Sequence, residues 1–133
     1  FDTDDESVTA LPAPFAPDYD LFATRFDLVH RGIPVALRKG REWQPHHALA
    51  LSTGLNAEAF DALPLTTDEA IAYLRRETWP TPADTRRGMR LVTCDGLPLG
   101  WCNHLGNRIN NLYPPEWRIR SGYRPENPNL PVW

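Results

Sequence analysis

Asp95-Gly96, set between two runs rich in apolar residues, constrains the folding of this chain more than any other pair. A two-residue hairpin turn needs positive φ at its centre, and Asp-Gly tolerates that geometry. Residues 89–94 are therefore expected to enter the turn as one strand and residues 97–103 to leave it as the next. Leu97, Leu99 and Trp101 then alternate onto a single face. Leu105-Gly106-Asn107 makes a second turn, residues 108–113 a third strand, and Pro114-Pro115 ends it.

Upstream the pattern changes. Thr66 and Glu69 have the spacing of a capping box, in which each side chain satisfies a donor at a helix start. Ile71 and Leu74, with Ala70 beside them, give that helix an apolar face. It must end near Thr78, because Pro80 disfavours helical geometry at Trp79. Residues 80–88 read as a polar loop. Earlier still, residues 27–31 and 33–37 read as two short strands around Gly32, followed by a Lys39-Gly40-Arg41 turn. Pro34 lacks an N–H, so its strand should be an edge or carry a bulge. Pro45 suits the first position of a helix over 46–53 that stops at Gly54. A second short helix after Asn56 would bury Phe60 and Leu63.

The chain has 133 residues, enough for one domain or for two small subdomains sharing a core. Residues 1–14 are expected as an acidic linker or tail leaning on the fold through Phe15, with a weak helical turn after Asp18. Residues 15–64 form a small α+β subdomain, 65–124 the β-rich domain, and 125–133 a Pro-rich tail that packs Val132 or Trp133 back. The first residue is Phe1 and no signal-peptide pattern follows, so the chain reads as a piece of a longer protein.

Net charge is −3, but its distribution is uneven. Residues 1–20 carry −6, residues 21–41 carry +4, residues 42–84 carry −5 and residues 85–124 carry +5. The two basic blocks coincide with the two hairpin-like stretches, so a one-sided positive surface is possible despite the acidic total. Lys39 and Arg41 mark the first block. In the second, Arg86, Arg87, Arg90, Arg108, Arg118 and Arg120 are interleaved with Asn110, Asn111, Tyr113 and Trp117. Arginine pairs with phosphate oxygens, and planar groups stack on unpaired bases. Solvated arginines and aromatic core residues account for the same pattern, so this reading stands beside a structural one.

Catalytic patterns are missing from the sequence. His46 and His47 are adjacent, and on a helix they point about 100° apart, unlike a metal-binding pair four residues apart. Cys94 and Cys102 are too few for a disulfide scaffold and would lie several pairs apart on one hairpin, as two reduced thiols. No Gly-x-Ser-x-Gly elbow is present, and no base stands near Cys94 in sequence. Gly88, Gly96, Gly100 and Gly106 are expected at strand ends and turns, outside any phosphate-cradling loop. No apolar run is long enough to span a membrane.

Thr93-Cys94-Asp95-Gly96-Leu97-Pro98-Leu99-Gly100-Trp101, followed by Asn110-Asn111-Leu112-Tyr113-Pro114, resembles the C-terminal region of RsmF-type 16S rRNA cytosine-C5 methyltransferases. Gly32-Ile33-Pro34-Val35-Ala36 and Pro45-His46-His47-Ala48-Leu49-Ala50-Leu51 resemble the small domain that precedes it there. The likeness covers about residues 27–120. It implies an α+β fold, a small PUA-like β-barrel or mixed sheet with short helices preceded by a small α/β subdomain. It also implies RNA binding, beside an upstream Rossmann-like catalytic domain that uses S-adenosylmethionine and catalytic cysteines. Cys94 stands where the family usually has Tyr, so neither cysteine inherits the catalytic role. Asn110-Asn111-Leu112 replaces a Lys-Asn-His pattern, and Pro115-Glu116-Trp117-Arg118 replaces Lys-Gly-Leu-Arg, so two basic positions are lost.

The expected function is therefore a non-catalytic RNA-binding module of a cytoplasmic rRNA methyltransferase. It would hold structured rRNA for the catalytic domain, with no cofactor, metal, membrane or DNA of its own. Its expected contacts are Lys39, Arg41, Arg90, Arg108, Asn110, Asn111, Tyr113, Arg118 and Arg120. The alternative is a module that braces its own upstream methyltransferase domain without touching RNA.

Overall fold

A computed structural model describes residues 1–80 and 86–122. Two four-stranded sheets and a few short helices make up a mixed α+β architecture. The first sheet is antiparallel, with strands β1 (Asp2–Thr3), β2 (Ser7–Ala10), β3 (Ile33–Lys39) and β4 (Glu42–Pro45) in that order. Helix α1 (Ala16–Ala23) lies between β2 and β3, and α2 (His47–Ala50) follows β4. The second sheet runs β5 (Ala62–Leu65), β6 (Gly88–Cys94), β7 (Leu97–His104) and β8 (Ile109–Asn111). β5 and β6 are parallel and joined across helix α3 (Thr67–Arg75), while the other pairs are antiparallel. Both sheets are open: of the β-barrel or mixed sheet expected, the mixed sheet is what forms.

The Asp95-Gly96 turn forms as expected, with φ of 50° and 77°. The row of side chains beyond it does not. Val92 pairs with Gly100 and Thr93 with Pro98, so Leu99 is an extra residue. Such a bulge breaks the two-residue alternation. Leu99 therefore packs with Cys102 and Tyr73 on one face of the sheet, Trp101 packs with Leu91 on the other, and Leu97 is exposed.

A second bulge answers Pro34. Val8 pairs with Ala36 and Thr9 with Pro34, leaving Val35 as the extra residue. Pro34 thus sits in an interior strand, where the bulge absorbs its missing donor. The partner strand β2 comes from residues expected to be a tail. Residues 27–31, expected as a strand, form none, and residues 27–30 are exposed. Phe15 is exposed as well and does not anchor the N-terminal segment.

Pro45 closes β4 opposite Ala36 and does not open a helix. The helix is a single turn, α2, shorter than the 46–53 span expected. Its N-cap is His46, whose Nδ1 accepts from the Ala48 N–H at 3.1 Å. After Asn56 a 3-10 turn forms over Ala57–Ala59. α3 starts with the full Thr66–Glu69 capping box. It ends two residues before Thr78, at Arg76 in the left-handed region with φ 59°. Its buried residues are Ala70 and Tyr73, with Ile71 and Leu74 only partly covered.

The core lies on both faces of the second sheet. Leu63, Leu65, Ala70, Tyr73, Val92 and Cys102 fill the side under α3. Ala50, Leu91 and Trp101 fill the other, with Leu49, Leu55, Phe60, Met89 and Leu112 around them. Tyr73 and Trp101 are nearly fully buried; aromatic rings of this size remove roughly 150–250 Å² each from water. Each has its polar handle satisfied. The Tyr73 hydroxyl donates to the Trp101 carbonyl at 3.0 Å, and Trp101 Nε1–H donates to the His46 carbonyl at 2.9 Å. The second bond fastens the end of the first sheet to the second. The expected loop over 80–88 and the C-terminal tail fall largely outside the described residues.

Candidate nucleic-acid interface

Of the nine expected contact residues, three are committed to the fold. Arg90 is buried, pairs with Asp61 at 3.1 Å and donates from Nη2 to the Arg86 carbonyl at 2.6 Å. Asn111 Nδ2 donates to the Tyr73 carbonyl at 2.8 Å, and its Oδ1 accepts from the Tyr113 N–H at 2.9 Å. Tyr113 is half-buried, its ring set edge-on against His47 and Tyr73. These side chains hold β8 and the segment after it against α3.

The other six are exposed, in separate places. Lys39 and Arg41 border the β3–β4 turn. Lys39 lines a groove of about 650 Å³ that also contains Asp4, Asp5 and Glu6. Three carboxylates outnumber Lys39 and Arg38 in that lining, which makes a poor seat for phosphate, since like charge repels the ligand. Arg108 stands at the β7–β8 turn, where a Cβ on Gly106 would meet the Arg87 guanidinium at 2.6 Å. Arg87 therefore lies over that turn. Asn110 is exposed on β8, the edge strand of its sheet.

Arg118 and Arg120 are brought against the C-terminal end of α3. The Ile119 N–H donates to the Leu74 carbonyl at 3.0 Å, and Arg75 Nη2 donates to the Ser121 carbonyl at 2.7 Å. Arg76 adds a bond from Nη1 to the Tyr113 carbonyl. These bonds define a groove of about 320 Å³ lined by Arg75, Glu77, Arg118, Ile119, Arg120 and Ser121 with Gly122. Neither Arg118 nor Arg120 makes an ion pair among the described residues. No described residue competes with an incoming anion for their charge.

Beside the groove runs a chain of rings. Trp117, in a 3-10 turn over Pro115–Trp117, meets His47 edge-to-face at 5.2 Å. His47 meets Tyr113 at 5.1 Å, Tyr113 meets Tyr73 at 5.6 Å, and Tyr73 meets Trp79 at 5.8 Å. Trp117 is 56% exposed, whereas His47 is 8% exposed and neither of its ring nitrogens has a hydrogen-bond partner among the described residues. Burial, with the nearby His46 and against the opposing pull of Glu116, holds the His47 pKa below its ordinary value, which favours the neutral ring. Gly100 makes room for this packing: a Cβ there would approach both Tyr73 Oη and the His47 ring. Sequence patterns give neither His47 nor Gly100 this packing role, because the contacts join residues far apart in the chain.

Cys94 and Cys102 are free thiols. Burial raises both, and pushes Cys102 up to about 12. A thiolate is the reactive form, so neither resembles an activated nucleophile. Among the described residues no three His, Cys, Asp or Glu side chains are grouped to hold a metal ion, and no helix is long and apolar enough to cross a membrane.

Residues 60–119 match the family described as the methyltransferase RsmF PUA domain. Among curated proteins, ribosomal RNA small subunit methyltransferase F of Escherichia coli (strain 55989) is 35% identical over 84 residues, which are 63% of this chain and 17% of the relative. The protein of the same name from Shigella sonnei gives the same figures. The chain thus spans under a fifth of the length of the curated relatives it matches.

Proposed function

We propose that this chain, whose residues 60–119 belong to the RsmF PUA domain family, is the non-catalytic RNA-binding module of a cytoplasmic rRNA cytosine-C5 methyltransferase. The relatives are named as methyltransferases of small-subunit ribosomal RNA. The module's part is to hold structured rRNA while a separate catalytic domain, binding S-adenosylmethionine, carries out the transfer. The observation that carries this reading is the pair Arg118 and Arg120, free of ion pairs among the described residues, beside the C-terminal end of α3. Arginine forks bind phosphate oxygens bidentately, and such contacts position RNA without reading its sequence. Arg108, Arg87 and Asn110 would supply a second anchor at the β7–β8 turn and edge strand. The test is titration of this chain with a small-subunit rRNA fragment at two salt concentrations. Binding that weakens as salt rises supports phosphate contact, because neutralised phosphates release counterions. No binding at low salt would refute it.

A second reading has its own observation. α1 buries none of its residues, and Phe15, Leu21, Phe22 and Phe26 are each at least half exposed. Contiguous exposed apolar surface marks protein contact. This end of the chain would pack on the methyltransferase domain and brace it, which is compatible with RNA contact at the opposite chemistry of Arg118 and Arg120. Tight association with that domain and no affinity for rRNA would make bracing the sole role.

A further inference from the structure

We infer that Trp117 is a stacking platform for one unpaired RNA base, so that the module grips a single-stranded nucleotide beside the phosphates it neutralises. The inference rests on the RNA-binding reading and names the part of the RNA that this face would take. Three observations converge on it. First, Trp117 is 56% exposed, and its aromatic contact among the described residues is the edge-to-face one with His47. Secondly, the backbone that carries the ring is held in place before any ligand arrives. Pro114 and Pro115 restrict the backbone ahead of it, and the Trp117 N–H bonds the Pro114 carbonyl at 3.1 Å. The segment is pinned on both sides, by Asn111 to Tyr113 and by Leu74 to Ile119. A platform already ordered loses little conformational freedom on binding. Thirdly, the next residue is Arg118, with Arg120 two further on, both free of ion pairs among the described residues. An aromatic face with adjoining cations is how proteins hold single strands: bases stack and phosphates pair.

Other exposed aromatics fit less well. Trp43 is 46% exposed but stands on β4, paired with Arg38, whose Nη1 is turned to the Asp5 carbonyl in the acidic segment. Tyr113 has its ring enclosed by His47 and Tyr73 and offers no open face of comparable size.

The probe is an eight-nucleotide single-stranded RNA, compared with a blunt duplex containing the same sequence, each titrated into the 133-residue chain. Trp117→Ala should weaken binding of the single strand by roughly 5- to 150-fold, the range for loss of one stacked base. Binding of the duplex should change far less. Trp117→Tyr should recover much of the loss, and Trp43→Ala should lose little. Single-strand addition should quench tryptophan fluorescence in the wild-type chain more than in Trp117→Phe. An unchanged single-strand affinity in Trp117→Ala, or equal quenching in Trp117→Phe, would overturn the inference while leaving RNA binding intact. If the wild-type chain binds neither RNA at low salt, the inference falls with the RNA reading beneath it.

Discussion

A Cβ on Gly100 would lie 2.3 Å from the Tyr73 hydroxyl oxygen, which makes glycine at this point of β7 a condition for Tyr73 to reach the core. The same Cβ would stand 3.0 Å from the His47 ring, and Gly100 has φ of 155°. Gly100→Ala therefore forces a buried tyrosine and histidine apart. It should lower unfolding free energy by about 2–3 kcal/mol, the scale of overpacking in a close-packed core. Urea denaturation followed by circular dichroism measures the loss. Tyr73→Phe should cost only about 1 kcal/mol, since the Trp101 carbonyl still accepts the Leu112 N–H at 3.1 Å. The double substitution removes the worst clash, so its cost should fall below the sum of the single ones.

Arg90 separates support from contact. Its side chain is buried against Asp61, and Arg118 and Arg120 are exposed. Arg90→Gln should reduce stability by about 1.5–3 kcal/mol, the range for a hydrogen bond to a charged group, with RNA affinity little changed under native conditions. Arg118→Gln and Arg120→Gln should do the reverse, lowering RNA affinity with the urea midpoint unmoved. A midpoint shift in the surface variants as large as that of Arg90→Gln would assign them to the fold.

Acid should weaken the module. Burial lowers the pKa of both His46 and His47, so the unfolded chain binds protons more readily than the folded one. Stability from these groups is complete above the ordinary histidine pKa near 6.5 and is lost as pH falls toward the depressed folded values. Urea midpoints measured between pH 7.5 and about 5 should fall with pH. His47→Phe, which keeps a ring between Tyr113 and Trp117, should flatten that slope. An unchanged slope would place the titration elsewhere.

Cys102 should resist thiol reagents at pH 7, since it is fully buried and its thiol is pushed up to about 12. Cys94, half-buried at the end of β6, should react slowly and first. Mass spectrometry after brief alkylation distinguishes them. Both should react rapidly once the chain is unfolded in urea.

What was legible in the sequence was local. The Asp95-Gly96 turn and the Thr66–Glu69 cap depend on residues one to three apart, and both form as read. The bulges at Leu99 and Val35 were hidden, although Pro34 announced the need for one, because an extra residue appears only against its partner strand. The residues of β2 have the pattern of a tail because their partner, β3, begins more than twenty residues later, beyond the reach of any local pattern. The site shows the same division. The arginines and Trp117 were visible as a basic, aromatic stretch. Their sorting was not: Arg90 is claimed by Asp61 and Asn111 by the Tyr73 carbonyl, each far away in the chain. Arg118 and Arg120 flank Ile119, whose N–H is fastened to the Leu74 carbonyl, a contact no local pattern announces.

Salt dependence of rRNA binding, measured for the wild-type chain and for Arg118→Gln/Arg120→Gln, tests the central claim most directly. If both arginines neutralise phosphates, the wild-type affinity falls steeply with salt, and the double variant's log–log slope is shallower by about 1.5–2, close to one per lost contact. Identical slopes and affinities in the two proteins would contradict it and move the RNA contact, if any, to another face.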